Sequence, residues 1–322
     1  MTSLLKKMSL ALGLGLLLST STLAQAAYPD RAVTIVVNYA PGGPLDLLAR
    51  IVGEYASKKT GQPVVIENKP GAAGQIGGEY VARQKPDGYT LLWTVDTLYT
   101  VNPYIYKTNF NPAEDLRTST LAGKFSQVLL VNPQLNVSTL DELLEKADVV
   151  YSSAGIAAPG HLTMEMLRLK TGMDMLHIPY KGNAPASQAL LAGEVDAGFL
   201  ALGGAHPYIE SKKLIPIAVS GAQRDLLLPE VPTLQELAVA GLEDFDVEFG
   251  YILMAPKGTE DEILDYWSQL VNEAFTDPDV LKRIARLNIT PNATTPAEAL
   301  IYLDQVAAQW QEVVDTANIS VE

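Results

Sequence analysis

The segment Ile35-Val36-Val37-Asn38-Tyr39-Ala40-Pro41-Gly42-Gly43-Pro44 runs directly into Leu45-Asp46-Leu47-Leu48-Ala49-Arg50. An apolar strand that breaks at a Gly-Gly turn and restarts at once as an amphipathic helix commits the chain to a β-α unit, so the next strand returns parallel to the first. The turn lies beyond the carboxyl end of a strand and at the amino end of a helix, where the first backbone N–H groups have no partner inside the helix. The helix dipole adds partial positive charge at the same place. Without a Cβ, Gly42 and Gly43 let a ligand approach the main chain closely. The turn is therefore a candidate seat for a small anion, although the same residues also suit a plain strand-to-helix turn with nothing bound.

The alternation continues along the chain. Val33–Val37 reads as a buried strand, and the helix beyond Asp46 lines up Leu47, Leu48, Ile51, Val52 and Tyr55 before Gly61 as a C-cap. Pro63–Ile66 reads as a second strand, Asn68–Gly78 as a glycine-rich loop into a helix, and Tyr89–Thr94 as a third strand. The later strands are Gln127–Val131, Asp148–Ser152, Met175–Ile178, Val195–Leu200 and Leu214–Val219, with helices Thr139–Lys146, His161–Lys170 and Ala186–Leu191 between them. Ser138 is the expected cap of the first of these helices, and Thr233-Leu234-Gln235-Glu236 is a capping box. Three helices close the chain: Asp261–Ala274, Pro278–Leu287 and one from Thr295-Pro296 to about Thr316. With so little strand between them, they are expected to return to the first lobe and cover it.

The ends and the composition narrow the function. Lys6 and Lys7, the apolar run Met8 to Leu18 and Ala24-Gln25-Ala26 have the form of a secretory signal peptide over residues 1–26. There is no cysteine, so disulfides, thiolate metal sites, a Cys nucleophile and a lipoprotein anchor are all excluded. A net charge of −14 repels nucleic acid and anionic lipid, but a few N–H groups in a cleft can still hold an anion. No linker or short repeat marks a domain boundary. The expected crossovers between lobes are the strands Gln127–Val131 and Val247–Met254. Lobe 1 is then 27–126 with 250–322, lobe 2 is 127–249, and a ligand cleft lies at the carboxyl ends of the strands.

Several motifs together resemble one family. They are Tyr28-Pro29-Asp30-Arg31, Ala40-Pro41-Gly42-Gly43-Pro44-x-Asp46, Val65-Ile66-Glu67-Asn68-Lys69-Pro70-Gly71-Ala72-Ala73-Gly74, Pro86-Asp87-Gly88-Tyr89-Thr90-Leu91-Leu92, Ser152-Ser153-x-Gly155, His177-Ile178-Pro179-Tyr180-Lys181-Gly182, Pro229-Glu230-Val231-Pro232-Thr233 and Ala255-Pro256-Lys257-Gly258-Thr259. In order and spacing the chain resembles the substrate-binding proteins of tripartite tricarboxylate transporters, the Bug group, from Tyr28 nearly to its end. The resemblance implies an α/β fold of the type II periplasmic-binding-protein kind, with two α/β lobes joined by two crossover strands around a ligand cleft. It also implies a periplasmic, non-enzymatic receptor that needs no cofactor and delivers a small carboxylate to a membrane permease. Carried over to this chain, the ligand contacts are Tyr39, Ala40, Gly42 and Gly43 on the first wall, with Thr94 to Thr97 beyond the third strand. The second wall is Ser153, Ala154, Gly155, Ala157 and Ala158, with the turn after Leu200.

The chain departs from the family pattern at Ala157 and Ala158, where a glycine and a hydroxyl residue are usual, and at Leu200 and Ala201, where an Asp-Asn pair is common. A buried ligand polar group needs a partner, so these losses point to a monocarboxylate, or a dicarboxylate with an apolar or aromatic body. On that reading Leu200→Asp should gain citrate binding. Lys181 could place a cation at the cleft mouth or simply be solvated, and Asp96 could orient ligand or close a turn. Asp46 is expected to act first as a helix cap.

His161, His177 and His206 lack metal-ligand spacing. Gly71–Gly78 lacks the G-x-G-x-x-G spacing of a dinucleotide loop. Ser152 and Ser153 have no evident His–Asp partners and no G-x-S-x-G elbow is present, which leaves a hydrolase poorly supported. A receptor for a sensor kinase uses the same closed form as a transport receptor, and the residues do not separate the two.

Overall fold

The computed structural model describes residues 28–317 and Ile319. The expected signal segment, 1–26, lies outside the described residues. From Arg31 onward the chain forms one compact unit built on two sheets.

The first sheet has the order β11-β4-β10-β3-β1-β2: β1 (Val33–Val37), β2 (Val64–Asn68), β3 (Thr90–Val95), β4 (Leu116–Phe125), β10 (Phe249–Pro256) and β11 (Thr290–Pro291). β1 pairs in parallel with β2 and β3, as the opening β-α unit requires. The second sheet has the order β7-β6-β8-β5-β9: β5 (Gln127–Val131), β6 (Val149–Ser153), β7 (Met175–Pro179), β8 (Ala197–Ala201) and β9 (Ile215–Val219). The α/β expectation holds, with two sheets that each carry helices on their faces.

The helix Pro44–Thr60 starts with proline at its first position and stops at Gly61, whose φ of 73° is left-handed and whose N–H donates to Ser57 O. It buries Leu45, Leu48, Ile51, Val52 and Ala56 on one stripe. The three closing helices, Asp261–Ala274, Pro278–Ala285 and Pro296–Ala317, pack on the first sheet and its helix. The cap of Leu140–Leu144 is Thr139 rather than Ser138, with Glu142 closing a capping box.

Two of the elements that escape a reading by periodicity show the physical reason. The first is β4, whose Arg117-Thr118-Ser119-Thr120 core shows no apolar alternation. It is buried nonetheless because Ser119 Oγ donates to Leu264 O at 2.8 Å and Thr120 Oγ1 to Thr294 O at 2.8 Å. Tertiary hydrogen bonds here replace the apolar pattern that burial normally needs. The second is the helix Leu202–Glu210, which holds Pro207 together with Gly203 and Gly204. A Cβ on Gly203 would strike the backbone of Leu287, so this glycine serves a close approach.

The chain passes from β4 to β5 through Ser126 alone, so Gln127–Val131 lies wholly in the second sheet and the crossing is made end to end by two strands. It returns through Glu248, between Val247 and the start of β10. Buried Ser220 holds both crossings. Its N–H donates to Gln127 O at 2.8 Å and its Oγ accepts from Gln127 N–H at 2.9 Å. The same Oγ donates to Val247 O at 2.8 Å, and Val247 N–H donates to Ser220 O at 2.8 Å. Ser220→Ala leaves a buried donor and a buried acceptor unpaired, a cost of about 1–3 kcal/mol. Urea denaturation should show a lower midpoint at an unchanged slope.

Candidate functional site

The two walls meet over a narrow cleft of about 50 Å³. The first sheet contributes Tyr39, Ala40, Gly43, Pro44, Leu45 and Val95. The crossing strands contribute Phe125, Gln127 and Tyr251, and the second lobe contributes Ala154, Pro159, Gly160, Asn183, Phe199 and Ala201. None of these side chains is charged. Phe125 and Tyr251 stack at 4.4 Å, so the aromatic floor is made by the strands that join the lobes. A second recess, which shares Tyr39 and Ala154, is lined by Gly71–Gly74, Tyr106, Gly155, Ile156, Tyr180 and Lys181.

The walls touch directly. Ala40 N–H donates to Lys181 O at 3.2 Å, and the Tyr106 hydroxyl donates to Ile156 O at 3.2 Å. Gly182 sits against Ala40, with a φ of 139° and room for a Cβ only at 3.1 Å from Ala40 Cβ. This is a closed arrangement of the lobes.

The first loop presents fewer donors than its sequence implies. Ala40 N–H is taken by the opposite wall. Gly42 N–H donates to Asp46 Oδ2 at 3.0 Å, so the chain's own carboxylate fills that part of the anion seat. Asp46 also accepts from Arg50 Nε at 3.0 Å, from Arg50 at 2.9 Å and from Asn68 Nδ2 at 2.9 Å. Burial alone would raise its pKa, but the hydrogen bonds from Arg50, Gly42 and Asn68 outweigh burial and hold it below the ordinary value. Asp46 thus reaches back to the turn instead of capping the helix, whose N-cap is Gly43. The N–H groups of Gly43 and Leu45 have no partner among the described residues, and both residues line the cleft.

Several expected contacts fall one residue away from the cleft, because neighbouring side chains of a strand point to opposite faces. Thr94 is buried beneath the wall, where its Oγ1 accepts from Asn38 Nδ2 at 2.8 Å, and Val95 faces the cleft instead. Asp96 is also buried; its Oδ2 accepts from Gly250 N–H at 2.6 Å and from the Tyr302 hydroxyl at 2.7 Å. Burial raises its pKa to about 7 against the pull of those two bonds. It joins β3, β10 and the last helix and does not line the cleft.

Leu200 packs in the second-lobe core with Val128, Leu130 and Val219, while Phe199 and Ala201 line the cleft. Ala157 and Ala158 are fully buried, and Pro159 and Gly160 take their place on the wall. Ala157 has a left-handed φ of 66°, which is costly for any residue with a Cβ and accounts for glycine as the family habit there. Ala154 and Gly155 line the cleft or its recess as expected. Lys181 borders the recess and is exposed.

Ser153 is fully buried and lines neither space. Its Oγ lies 2.6 Å from His177 Nε2, a partner that the sequence reading missed. His177 stacks on His161 at 4.1 Å, and Ala157 N–H donates to His161 Nδ1 at 3.1 Å. These groups shape the second wall. A serine sealed from the cleft beside so weak a base does not form a working nucleophile. No helix among the described residues is long and apolar enough to cross a membrane, and they contain no cluster of metal-ligating side chains.

The model of the tripartite tricarboxylate transporter family receptor matches residues 48–319. The chain belongs to that family. Among solved structures, the receptor resembles the periplasmic binding protein BugD, with 32% identity over 91% of this chain and 100% of the other and a TM-score of 0.85. It also resembles Rpa4515 of R. palustris with adipate, at 28% identity over 91% and 100% of the two chains and a TM-score of 0.86. A third likeness is MatC of Rhodopseudomonas palustris with bound malate, at 29% identity over 89% and 100% and a TM-score of 0.83. The family consists of periplasmic solute-binding receptors rather than enzymes, and the fold expected from the motifs is the one the receptor has.

Two outcomes follow from the wall. Leu200→Asp puts an unpartnered carboxylate into an apolar core, at a cost above about 3 kcal/mol. Circular dichroism should therefore show a much lower melting temperature, and the variant should gain no citrate site. Burial lowers the pKa of His161 from 6.5 to about 4, and burial with the neighbouring His161 lowers that of His177 to about 3. The unfolded chain binds these protons first, so the pair's contribution to stability falls as pH drops from 6.5 toward 4. NMR titration of the imidazole C–H resonances should place both midpoints below pH 5.

Proposed function

We propose that this receptor binds a small carboxylate with an apolar body in the interlobe cleft and delivers it to the membrane permease of a tripartite transporter. The carboxylate sits at the amino end of the helix Pro44–Thr60, on the free N–H groups of Gly43 and Leu45. The body of the ligand lies against Val95, Phe125, Phe199 and Tyr251. The observation that carries this reading is a cleft lined by unpaired main-chain donors on one side, by aromatic and aliphatic side chains on the other, and by no charged side chain. Oriented N–H groups at a helix start hold an anion without a cation, whereas a hydroxyl-rich acid would leave its hydroxyls unpaired against Phe199 and Ala201. The neighbours with adipate and with malate support the carboxylate class.

Residues 1–26 act as a cleavable signal. The lobes are 27–126 with 250–322 and 127–249, and they close on the ligand by shifting an open–closed equilibrium. The receptor performs no catalysis.

Thermal unfolding of the protein from Ala27 onward, in the presence of adipate, longer diacids, benzoate, phthalate, malate and citrate, tests the reading. At a hundredfold excess over Kd, a ligand that binds only the folded state adds about 2.7 kcal/mol. A clear rise in midpoint with adipate or an aromatic acid is expected. A rise with citrate or malate alone overturns the apolar body, and no rise with any acid overturns the carboxylate reading.

A further inference from the structure

We propose that Asn183 is the second lobe's donor to the ligand and thereby couples carboxylate recognition to closure of the lobes. The inference rests on the carboxylate reading above and adds a residue that neither the motifs nor the departures from them single out.

Asn183 opens the helix Asn183–Ala192 and lines the cleft. Its Oδ1 accepts from Ala201 N–H at 3.3 Å. That bond sets which end of the amide faces which way, because a flipped amide would turn two donors toward each other. Nδ2 is therefore the end left without an assigned partner. It is buried and has no acceptor among the described residues. A buried amide nitrogen left unpaired is costly, and a ligand acceptor would satisfy it.

The position is specific. A Cβ placed on Gly43 would lie 3.7 Å from Asn183 Cβ, so Asn183 faces the same turn whose N–H groups are unspent. On Gly204 a Cβ would stand 3.4 Å from Nδ2, so the glycine keeps the space beside the nitrogen open. Gln127, the other amide lining this side, already lies 2.9 Å from Thr163 Oγ1. A carboxylate at Gly43 thus meets donors from both lobes at once, and it meets the second set only when the lobes are closed. Because Asn183 offers hydrogen and no lone pair here, it selects an acceptor and rejects an ammonium group.

The test measures binding calorimetrically with whichever of adipate, malate or benzoate binds the wild type most tightly, together with the melting temperature of each unliganded protein. Asn183→Ala should weaken binding about 10- to 100-fold, the loss of one hydrogen bond to a charged acceptor. Asn183→Asp keeps the acceptor for Ala201 N–H but replaces the donor with a carboxylate. It should leave the unliganded melting temperature near that of the wild type and abolish measurable binding. If Asn183 only holds Ala201, the Asp variant will bind as the wild type does, and the inference is overturned while the carboxylate reading stands. If the wild type binds none of the three acids, both fall together.

Discussion

One buried hydroxyl organises the junction on which the receptor depends. Ser220 forms four hydrogen bonds with Gln127 and Val247, so the residue just beyond β9 holds the outgoing and returning crossings at a single point. A serine can do this because its hydroxyl donates once and accepts at the same time, while its own N–H and C=O remain free for the main chain. Immediately beyond this knot β4 and β10 pair, with Phe125 opposite Phe249. The side chains of Phe125 and Tyr251 then form the floor of the cleft. The junction and the floor of the cleft are therefore built from the same two strands.

The walls rely on neutral donors. The first turn has spent part of its anion-binding capacity internally, since Asp46 occupies the Gly42 N–H and is itself neutralised by Arg50. That arrangement fixes the shape of the turn and leaves the N–H groups of Gly43 and Leu45 without a partner among the described residues. No side chain lining the cleft is charged, so the cleft contains no buried ion pair. Beneath the wall Asp96 anchors β3 to β10 and, through Tyr302, to the last helix. The polar residues that looked like ligand contacts instead hold the wall in place.

Much of the frame was legible in the chain. Strand and helix periods located both parallel units, the return of the closing helices and the turn at Gly42-Gly43, because those features depend on local patterns of apolar residues and on backbone freedom. The motifs carried the family. Less legible were β4, buried through the hydroxyls of Ser119 and Thr120, and the helix over Gly203, Gly204 and Pro207, which forms where Leu287 packs against it. In both cases the stabilising partner is distant in sequence, so no local pattern records it.

The site shows the same division at finer grain. The sequence by itself determined that a strand, a glycine turn and a helix would place unpaired N–H groups at one end of a parallel sheet, and its motifs carried the family. Only the tertiary structure decided that Val95 rather than Thr94, and Phe199 and Ala201 rather than Leu200, face the cleft. It also decided that Asp46 and Lys181 consume two of the expected donors, and that Asn183 stands opposite Gly43. The reason is physical: a strand turns its side chains over at every residue, and which face meets the cleft is fixed by the packing of the other face against helices far along the chain.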